Sequence, residues 1–170
     1  ANFHNPVGCL MPDDRKRALV RLLAERGVPI IEDDIYGDLQ HEGSRPRCLK
    51  ADDLDGGVLL CGSFSKTLAP GYRVGYIAAG RWHDRVLALK RSQSLASATL
   101  PVLAVADFLR NGGYDRYLRR VRRAFRDQVA RMREAVAGAF PEGVALSRPQ
   151  GGVVLWCEIP GVAAMDLFRR

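Results

Sequence analysis

The chain has 170 residues, of which 47% are hydrophobic and 26% are charged, and its formal net charge is +7. These proportions are ordinary for a globular protein, and no apolar run approaches the roughly 18–20 residues that a membrane-spanning helix needs. The four cysteines are widely scattered and lack the Cys-x-x-Cys spacing of a zinc or redox site, which favours a reducing, cytoplasmic setting.

The start of the chain is unusual. It begins at Ala1 without an initiator methionine, in a segment typical of a loop. It has neither the basic region nor the apolar stretch of a signal peptide, and the rest of the sequence shows no internal repeat. We therefore expect a fragment of a longer chain.

The first half of the sequence alternates between helical and strand patterns. Pro12 followed by two aspartates is typical of a helix start, and we predict a helix that runs to about Arg26. The apolar runs 28–32 and 58–62 predict two buried strands, separated by a polar, irregular segment at 39–57, and a third strand is predicted at 73–79. This alternation predicts an α/β architecture, part of a doubly wound sheet domain.

Helical patterns dominate the second half. They cover about 82–140, with breaks near 97–101 and at 111–113. Two strands at 144–147 and 153–159 follow, joined by a Pro-Gln-Gly-Gly turn, and 166–170 is typical of the start of a helix. We place a domain boundary at Gly112–Gly113, with part of the sheet domain in 1–112, and a long helix and the start of a smaller α+β domain in 113–170.

Much of the positive charge lies between Asp115 and Arg133. A nucleic acid is one possible partner for such a surface. However, apolar residues recur through this stretch at helical spacing, and no base-reading motif accompanies the charge. We therefore interpret the arginines as the solvated face of a helix. The apolar positions are Leu118, Val121, Phe125, Val129, Met132 and Val136.

The segment 63–75 is the most informative part of the chain. It places Lys66 beside the hydroxyls of Ser63 and Ser65 and ahead of Arg73, on a glycine-punctuated turn after a predicted strand. Hydroxyl donors and a permanently charged guanidinium suit a phosphate monoester. A lysine can form a Schiff base with an aldehyde. Together these groups suggest pyridoxal 5'-phosphate (PLP).

Other polar residues also follow predicted strands. Asp33 and Asp34 directly follow the strand at 28–32, at its carboxyl end, where open α/β sheets bind their ligands. Tyr36 lies on the loop that leaves this strand. Asn5 precedes a proline on a predicted turn. PLP needs a carboxylate at its pyridine nitrogen and donors at its phenolic oxygen, so these segments could converge with Lys66 on one crevice. Glu32 and Asp34 remain alternatives to Asp33 as the acid.

The order of these motifs resembles a known family. Asn-Pro-x-Gly at 5–8, Glu-Asp-Asp-x-Tyr at 32–36, Ser-x-Ser-Lys-x-x-x-Pro-Gly-x-Arg-x-Gly at 63–75 and Gly-Gly-x-x-x-Trp at 151–156 are similar to the class I/II aminotransferases of PLP fold type I. Within that family, the chain resembles the aminotransferase-like domain of the MocR proteins, which belong to the GntR superfamily of bacterial regulators. The likeness covers essentially the whole chain.

The resemblance implies a role for each site residue. Lys66 would form the Schiff base with PLP and move a proton at the substrate carbon. Asp33 would pair with the pyridine nitrogen, because the family's acid lies three residues before its tyrosine. Donors to the phenolic oxygen would be Tyr36 and Asn5. The phosphate would be held by Ser63, Ser65 and Arg73. We expect Arg73 to be buried, and a buried arginine needs an anionic partner. No metal is implied, and His4, His41 and His83 share no metal-like spacing.

The resemblance also implies a fold and a function. The fold is part of the large domain of a PLP fold type I transferase, with a mixed, mostly parallel sheet and flanking helices, plus the start of the small domain. The function is that of a PLP-binding domain in a dimeric, cytoplasmic regulator that responds to an amino acid or amine and contacts DNA through a winged helix outside this chain. A free-standing aminotransferase and a domain that has lost the cofactor are alternatives.

The sequence lacks some of the family's parts. A complete fold type I chain is roughly twice as long. The resemblance places the phosphate-binding turn and the ring-stacking aromatic residue before residue 1, and the arginine for the substrate carboxylate after residue 170. Residues 1–170 would therefore form only part of a PLP site, and as an aminotransferase-like enzyme they would be incomplete on their own.

Overall fold

Helices and short strands alternate in the computed structural model, which describes residues 1–169. The helices are α1 (Asp13–Glu25), α2 (His83–Ser94), α3 (Thr99–Arg110), α4 (Gly113–Ala139) and α5 (Ala164–Phe168). The strands are β1 (Ile30–Asp33), β2 (Val58–Ser63), β3 (Gly75–Ala78), β4 (Ala145–Leu146) and β5 (Cys157–Glu158). Short 3-10 helices span Leu49–Asp52, Pro70–Tyr72 and Gly80–Trp82.

The first three strands form a mixed sheet in the order β1-β2-β3. β1 and β2 are parallel, β2 and β3 are antiparallel, and the register places Asp33 opposite Cys61 and Ser63 opposite Gly75. Because β1 and β2 run in the same direction, their carboxyl ends lie at the same edge of the sheet. The loops that carry the predicted acid and the predicted lysine therefore leave the sheet side by side.

The two faces of this sheet differ in burial. One face packs against α1 and the first 3-10 helix through a core of Val20, Leu49 and Val58, with Ile30 beside it. On the other face Ile31 is 75% exposed and Ile77 is 51% exposed. The prediction that β1 and β2 are buried is therefore correct for one face and wrong for the other, where alternate side chains point away from α1. All four residues of β3 are exposed.

A second core joins distant parts of the chain. Phe3, Tyr36, Leu39 and Leu118 are buried together, and Val121 and Phe125 of α4 pack against them. This cluster fixes the N-terminal segment and the loop after β1 against the long helix. It therefore holds in place the segments that carry Asn5 and Tyr36.

The 27-residue helix α4 forms where the arginine-rich stretch predicts a helix. Leu118 and Val129 are buried on its apolar side, while most of its arginines are exposed or half-exposed, as expected for a solvated face. α4 begins at Gly113, beside the boundary placed at Gly112–Gly113, although the division into 1–112 and 113–170 itself remains a prediction. Among the described residues, no helix combines the length and the apolar character needed to cross a bilayer.

Several predicted bounds agree with the structure and others do not. α1 ends close to the predicted Arg26, and the break before α4 lies where expected. The break predicted at 97–101 ends at Ala98 instead, because Pro101 lies in the first turn of α3, where its missing N–H costs no helical hydrogen bond. The strand predicted at 73–79 begins only at Gly75, because Arg73 adopts a left-handed conformation with φ 54° after a 3-10 turn. The last helix begins at Ala164 rather than 166, and Arg170 lies outside the described residues.

The strand predicted at 153–159 contains only Cys157 and Glu158. Its partner strand is equally short. Beyond it, the Trp156 N–H donates to the side-chain hydroxyl of Ser147 rather than to a backbone carbonyl, at 2.9 Å. In this next pair only the bond from the Ser147 backbone N–H to the Trp156 carbonyl forms, at 2.9 Å. The strands therefore contain only two residue pairs, because the returning bond from Trp156 goes to a side chain.

The turn before β2 is closed by one carboxylate. Asp53 accepts hydrogen bonds from the Gly57 N–H at 2.9 Å, the Val58 N–H at 3.0 Å and Lys50 Nζ at 2.8 Å. Burial alone would raise the pKa of Asp53, but these hydrogen bonds outweigh it and hold the pKa below its usual value. The ionised form therefore stabilises the start of the central strand.

Replacing Asp53 by asparagine tests this stabilisation. We expect Asp53→Asn to lower the free energy of unfolding by about 1–2 kcal/mol near neutral pH. Because the folded-state pKa is depressed, the wild-type advantage is fully present above the unfolded value of about 3.9 and is lost as the pH falls through the folded value. Urea unfolding at about pH 7 and about pH 3 measures both quantities.

The exposed Asp55 in the same turn provides a matched control, since it makes no hydrogen bond to the described residues. Asp55→Asn should leave the free energy of unfolding within about 0.5 kcal/mol of the wild type. An equal loss in both variants would show that Asp53 has no special role.

Candidate functional site

The predicted lysine lies on a tight turn after β2. The Ser65 N–H donates to the hydroxyl of Ser63 at 3.1 Å, and the Leu68 N–H donates to the Phe64 carbonyl at 2.8 Å. These bonds fix the backbone on both sides of Lys66. The Lys66 side chain is exposed and makes no hydrogen bond or ion pair with any residue that the structure describes. Its amine is therefore available to a ligand.

Arg73 lies beside the same turn, but it is exposed, and the expectation that it is buried is wrong. It follows a 3-10 turn at the surface, where its backbone is left-handed. Its Nη1 donates to the hydroxyl of Ser65 at 3.3 Å and to the Pro70 carbonyl at 3.5 Å. None of the carboxylates in the described part of the chain pairs with this guanidinium. Two hydroxyls and an unneutralised cation are thus grouped next to Lys66.

The three consecutive acids at the end of β1 have different environments. Glu32 is 2% exposed and accepts from the Leu49 and Lys50 N–H groups at 2.7 and 3.0 Å. Asp34 is 5% exposed and belongs to a different set of contacts. Asp33 is exposed, and its carboxylate makes no hydrogen bond or ion pair within residues 1–169. Strand alternation explains the difference, because the first and third acids point to the same, covered side.

Asp34 pairs with two side chains from other segments. It accepts from Asn2 Nδ2 at 2.9 Å and from Arg45 Nη2 at 2.5 Å. A buried carboxylate needs such partners, and both of its oxygens are used. Of the three alternatives for the functional acid, only Asp33 is therefore free to meet a ligand.

Asp33 lies on the open face of the sheet beside Cys61 of β2. Burial raises the pKa of the Cys61 thiol, and the nearby Asp33 carboxylate raises it further. The thiol is therefore a neutral neighbour of Asp33. Ser63 lies two residues farther along the same strand as Cys61, so the acid and the lysine turn share one edge of the sheet.

Tyr36 and Asn5 are held next to this edge by the second core. The ring of Tyr36 is buried with Phe3, and its hydroxyl makes no hydrogen bond to a described residue. Asn5 is exposed on the turn that follows Phe3, and the bond between Asn2 and Asp34 ties this turn to the loop after β1. The structure thus brings the two segments together, although Asn5, Tyr36 and Lys66 make no direct contact through hydrogen bonds.

The structure also contains a polar network that our sequence analysis missed. Asp38 accepts from Arg45 Nε at 2.6 Å and from the hydroxyl of Tyr114 at 3.2 Å, and its carbonyl accepts from Arg122 Nε at 2.7 Å. Burial alone would lower the pKa of Arg45, but Asp38 and Asp34 raise it, so the guanidinium stays charged. The network ties the loop after β1 to α4. No spacing could reveal it, since Tyr114 and Asp38 lie 76 residues apart.

Comparison with known proteins identifies the family. Residues 1–170 match the family described as aminotransferase class I and II. The chain belongs to this family. Among curated relatives, it is 42% identical over 169 residues to an uncharacterized HTH-type transcriptional regulator of Escherichia coli, YjiR. The alignment covers 99% of this chain and 36% of that protein. The chain is also 35% identical to the 2-aminoadipate transaminase of Thermus thermophilus, and this alignment covers 99% of this chain and 44% of that protein.

Solved structures show the same fold. The kynurenine aminotransferase of Pyrococcus horikoshii, in complex with PMP, aligns with a TM-score of 0.91 at 30% identity, over 99% of this chain and 42% of that one. A second match is the α-aminoadipate aminotransferase LysN of Thermus thermophilus, complexed with N-(5'-phosphopyridoxyl)-L-leucine. It aligns with a TM-score of 0.90 at 34% identity, over 99% of this chain and 44% of that one. The expected fold, part of the fold type I large domain with the start of the small domain, is confirmed.

The chain spans well under half the length of these proteins: 36% of the regulator and 42% of the kynurenine aminotransferase. The expectation that it is similar to MocR-type regulators is confirmed by the regulators among its relatives, including YdcR of Escherichia coli at 36% identity. What the complete protein does, and which ligands and partners it binds, is a matter for a proposal.

The different environments of Asp33 and Asp34 predict different effects on stability. Asp34→Asn should lower the free energy of unfolding by about 2–3 kcal/mol, because it leaves the Arg45 charge without its buried partner. Asp33→Asn should change it by less than about 0.5 kcal/mol, because Asp33 has no partner to lose. Urea unfolding of the two variants measures the contrast. A larger loss for Asp33→Asn would reverse our assignment of the structural and the free carboxylate.

Proposed function

We propose that this chain is the PLP-binding, aminotransferase-like domain of a MocR-type regulator of the GntR superfamily, with Lys66 as the point of covalent attachment. The observation that carries the proposal is the Lys66 turn, where a free amine lies next to two hydroxyls and an unneutralised guanidinium. The similarity to HTH-type regulators and to aminotransferases supports it.

The group around Arg73 fits a phosphate monoester. The Ser65 hydroxyl already lies within 3.3 Å of the guanidinium, so both donors can reach the same oxygen-rich group without rearrangement of the turn. The Ser63 hydroxyl accepts from the Ser65 N–H at 3.1 Å. Charge-assisted hydrogen bonds are stronger than neutral ones, and no carboxylate whose side chain the structure describes competes for Arg73. We assign Ser63, Ser65 and Arg73 to the phosphate.

Asp33 fits the pyridine nitrogen. Its carboxylate is free, whereas Glu32 and Asp34 are held by buried hydrogen bonds that fix the backbone on both sides of it. Asp33 would therefore hold a proton on the ring nitrogen from a rigid strand end. When bound, PLP supplies an electron sink for the carbon attached to the amine. Lys66 would hold and move the proton at that carbon.

Tyr36 and Asn5 are proposed as donors to the phenolic oxygen. The hydroxyl of Tyr36 lacks a partner among the described residues while its ring is fixed in the core, so the donor is oriented but unused. Asn5 presents an amide on the exposed turn beside it. These two donors would orient the ring with respect to Lys66.

The proposal extends to the complete protein. The division into 1–112, which carries the site, and 113–170, which starts the small domain, follows the fold type I pattern. The complete protein would be a cytoplasmic homodimer that binds an amino acid or amine and contacts DNA through a winged helix outside this chain. Binding at the Lys66 site would shift the domain between two conformations and so change DNA affinity.

Absorbance spectroscopy tests the covalent attachment. PLP added to the protein expressed from its complete gene should produce the visible absorbance band of the lysine-bound cofactor, and Lys66→Ala should abolish this band. Lys90→Ala is a matched control, since Lys90 is exposed on α2 away from the turn. A band that persists in Lys66→Ala would exclude Lys66 as the attachment point. Loss of the band in Lys90→Ala would show that its loss in Lys66→Ala is not specific to Lys66.

DNA binding separates the regulator from a free-standing aminotransferase, which similarity to the 2-aminoadipate transaminase also allows. We expect PLP with an amino acid or amine to change the affinity of the complete protein for its own upstream DNA by about 5- to 150-fold. Fluorescence anisotropy measures this change, which Lys66→Ala should lose and Lys90→Ala should keep. Rapid amino transfer to a 2-oxo acid with no effect on DNA would favour the enzyme.

A further inference from the structure

Tyr114, in the first turn of α4, contacts the lysine turn through its ring. The ring packs edge-on against Phe64, with centroids 5.7 Å apart and an interplanar angle of 77°. The carbonyl of Phe64 accepts from the N–H groups of Leu68 and Ala69, at 2.8 and 3.0 Å, so Phe64 is the residue on which the turn around Lys66 closes. A residue that holds Phe64 in place therefore also holds the backbone of the turn that carries Lys66.

Tyr114 contacts the acid loop through its hydroxyl. The hydroxyl donates to Oδ2 of Asp38 at 3.2 Å, and Oδ1 of the same carboxylate accepts from Arg45, which also pairs with Asp34. Asp34 is the direct neighbour of Asp33. A chain of three polar contacts thus runs from Tyr114 to the residue next to the free carboxylate.

The hydroxyl is suited to act as a permanent donor. Burial raises the pKa of Tyr114, and together with the Asp38 carboxylate it outweighs Thr67, which lowers the pKa, so the phenol keeps its proton through the neutral range. A half-buried tyrosine that is always protonated gives the carboxylate of Asp38 the same partner at every physiological pH.

Two other residues of α4 hold one segment each. The hydroxyl of Tyr117 lies 3.4 Å from the Leu68 carbonyl, and Arg122 Nε donates to the Asp38 carbonyl at 2.7 Å. Tyr114 differs from both because it contacts the lysine turn and the acid loop at once. Removing its hydroxyl would release one contact and leave the other.

We propose that Tyr114 is a positioning residue that sets the Lys66 turn with respect to Asp33. Phe64 and Asp38 are the contacts through which it acts, and it does not touch the proposed ligand groups itself. The inference rests on the proposed function for its effect on cofactor binding, but the coupling between the two loops exists in the protein without a cofactor. The ring fixes the turn, and the hydroxyl fixes the acid loop.

Cofactor binding provides the first test. Tyr114→Phe keeps the ring and removes the hydroxyl, so we expect it to weaken PLP binding by about threefold to tenfold and to shift the pH titration of the absorbance band. The exposed Tyr72 has no hydrogen bond through its hydroxyl to a described residue, and Tyr72→Phe should titrate as the wild type does. Wild-type affinity and titration in Tyr114→Phe would overturn the proposal.

Hydrogen–deuterium exchange provides a second test that needs no cofactor. In the cofactor-free complete protein, Tyr114→Phe should speed exchange in 34–39, where the hydroxyl acts, and Tyr114→Leu should speed it in both 34–39 and 64–69. Tyr117→Phe should affect only 64–69. Unchanged exchange in Tyr114→Leu, or an effect of Tyr114→Phe spread over the whole chain, would overturn the coupling.

These measurements separate the two hypotheses. If the wild-type protein gives no PLP band, the proposed function fails, and the exchange pattern still decides whether Tyr114 couples the loops. If the band forms and the Tyr114 variants bind, titrate and exchange as the wild type does, the positioning role fails and the proposed function stands.

Discussion

The buried carboxylate of Asp34 organises this half of the molecule. It cannot be left unpaired at 5% exposure, and it draws Asn2 from the N-terminus and Arg45 from the segment before β2. Arg45 in turn binds Asp38, and Asp38 binds α4 through Tyr114. Segments that are distant in sequence are therefore held around one charge, and the loop with Asp33 and Tyr36 is built on it.

Local features could be predicted from the sequence, because they depend on nearby residues. The turn around Lys66, the first helix and the start of β2 follow from proline, glycine and apolar patterns, and the structure agrees with them. The face that each acid occupies could also have been predicted, since strand alternation places Glu32 and Asp34 together and Asp33 apart.

What the sequence could not predict depends on distant contacts. Arg73 was expected to be buried, but its exposure depends on the path of the chain after the 3-10 turn. The role of Tyr114 depends on Phe64 and Asp38, to which no short-range pattern connects it. The fold brings together the segments that carry the site residues, and the roles of these residues remain proposals. The site residues are Asn5, Asp33, Tyr36, Ser63, Ser65, Lys66 and Arg73.

The different environments of the three acids on β1 have an evolutionary consequence. Glu32 and Asp34 make hydrogen bonds that stabilise the fold, whereas the Asp33 carboxylate makes none with a residue that the structure describes. In a lineage that abandoned the chemistry and kept the domain as a scaffold, purifying selection would still act on positions 32 and 34 but would be relaxed at position 33. An intact Glu-x-Asp pair around a substituted centre would then mark a descendant that retains the architecture and has lost the reaction.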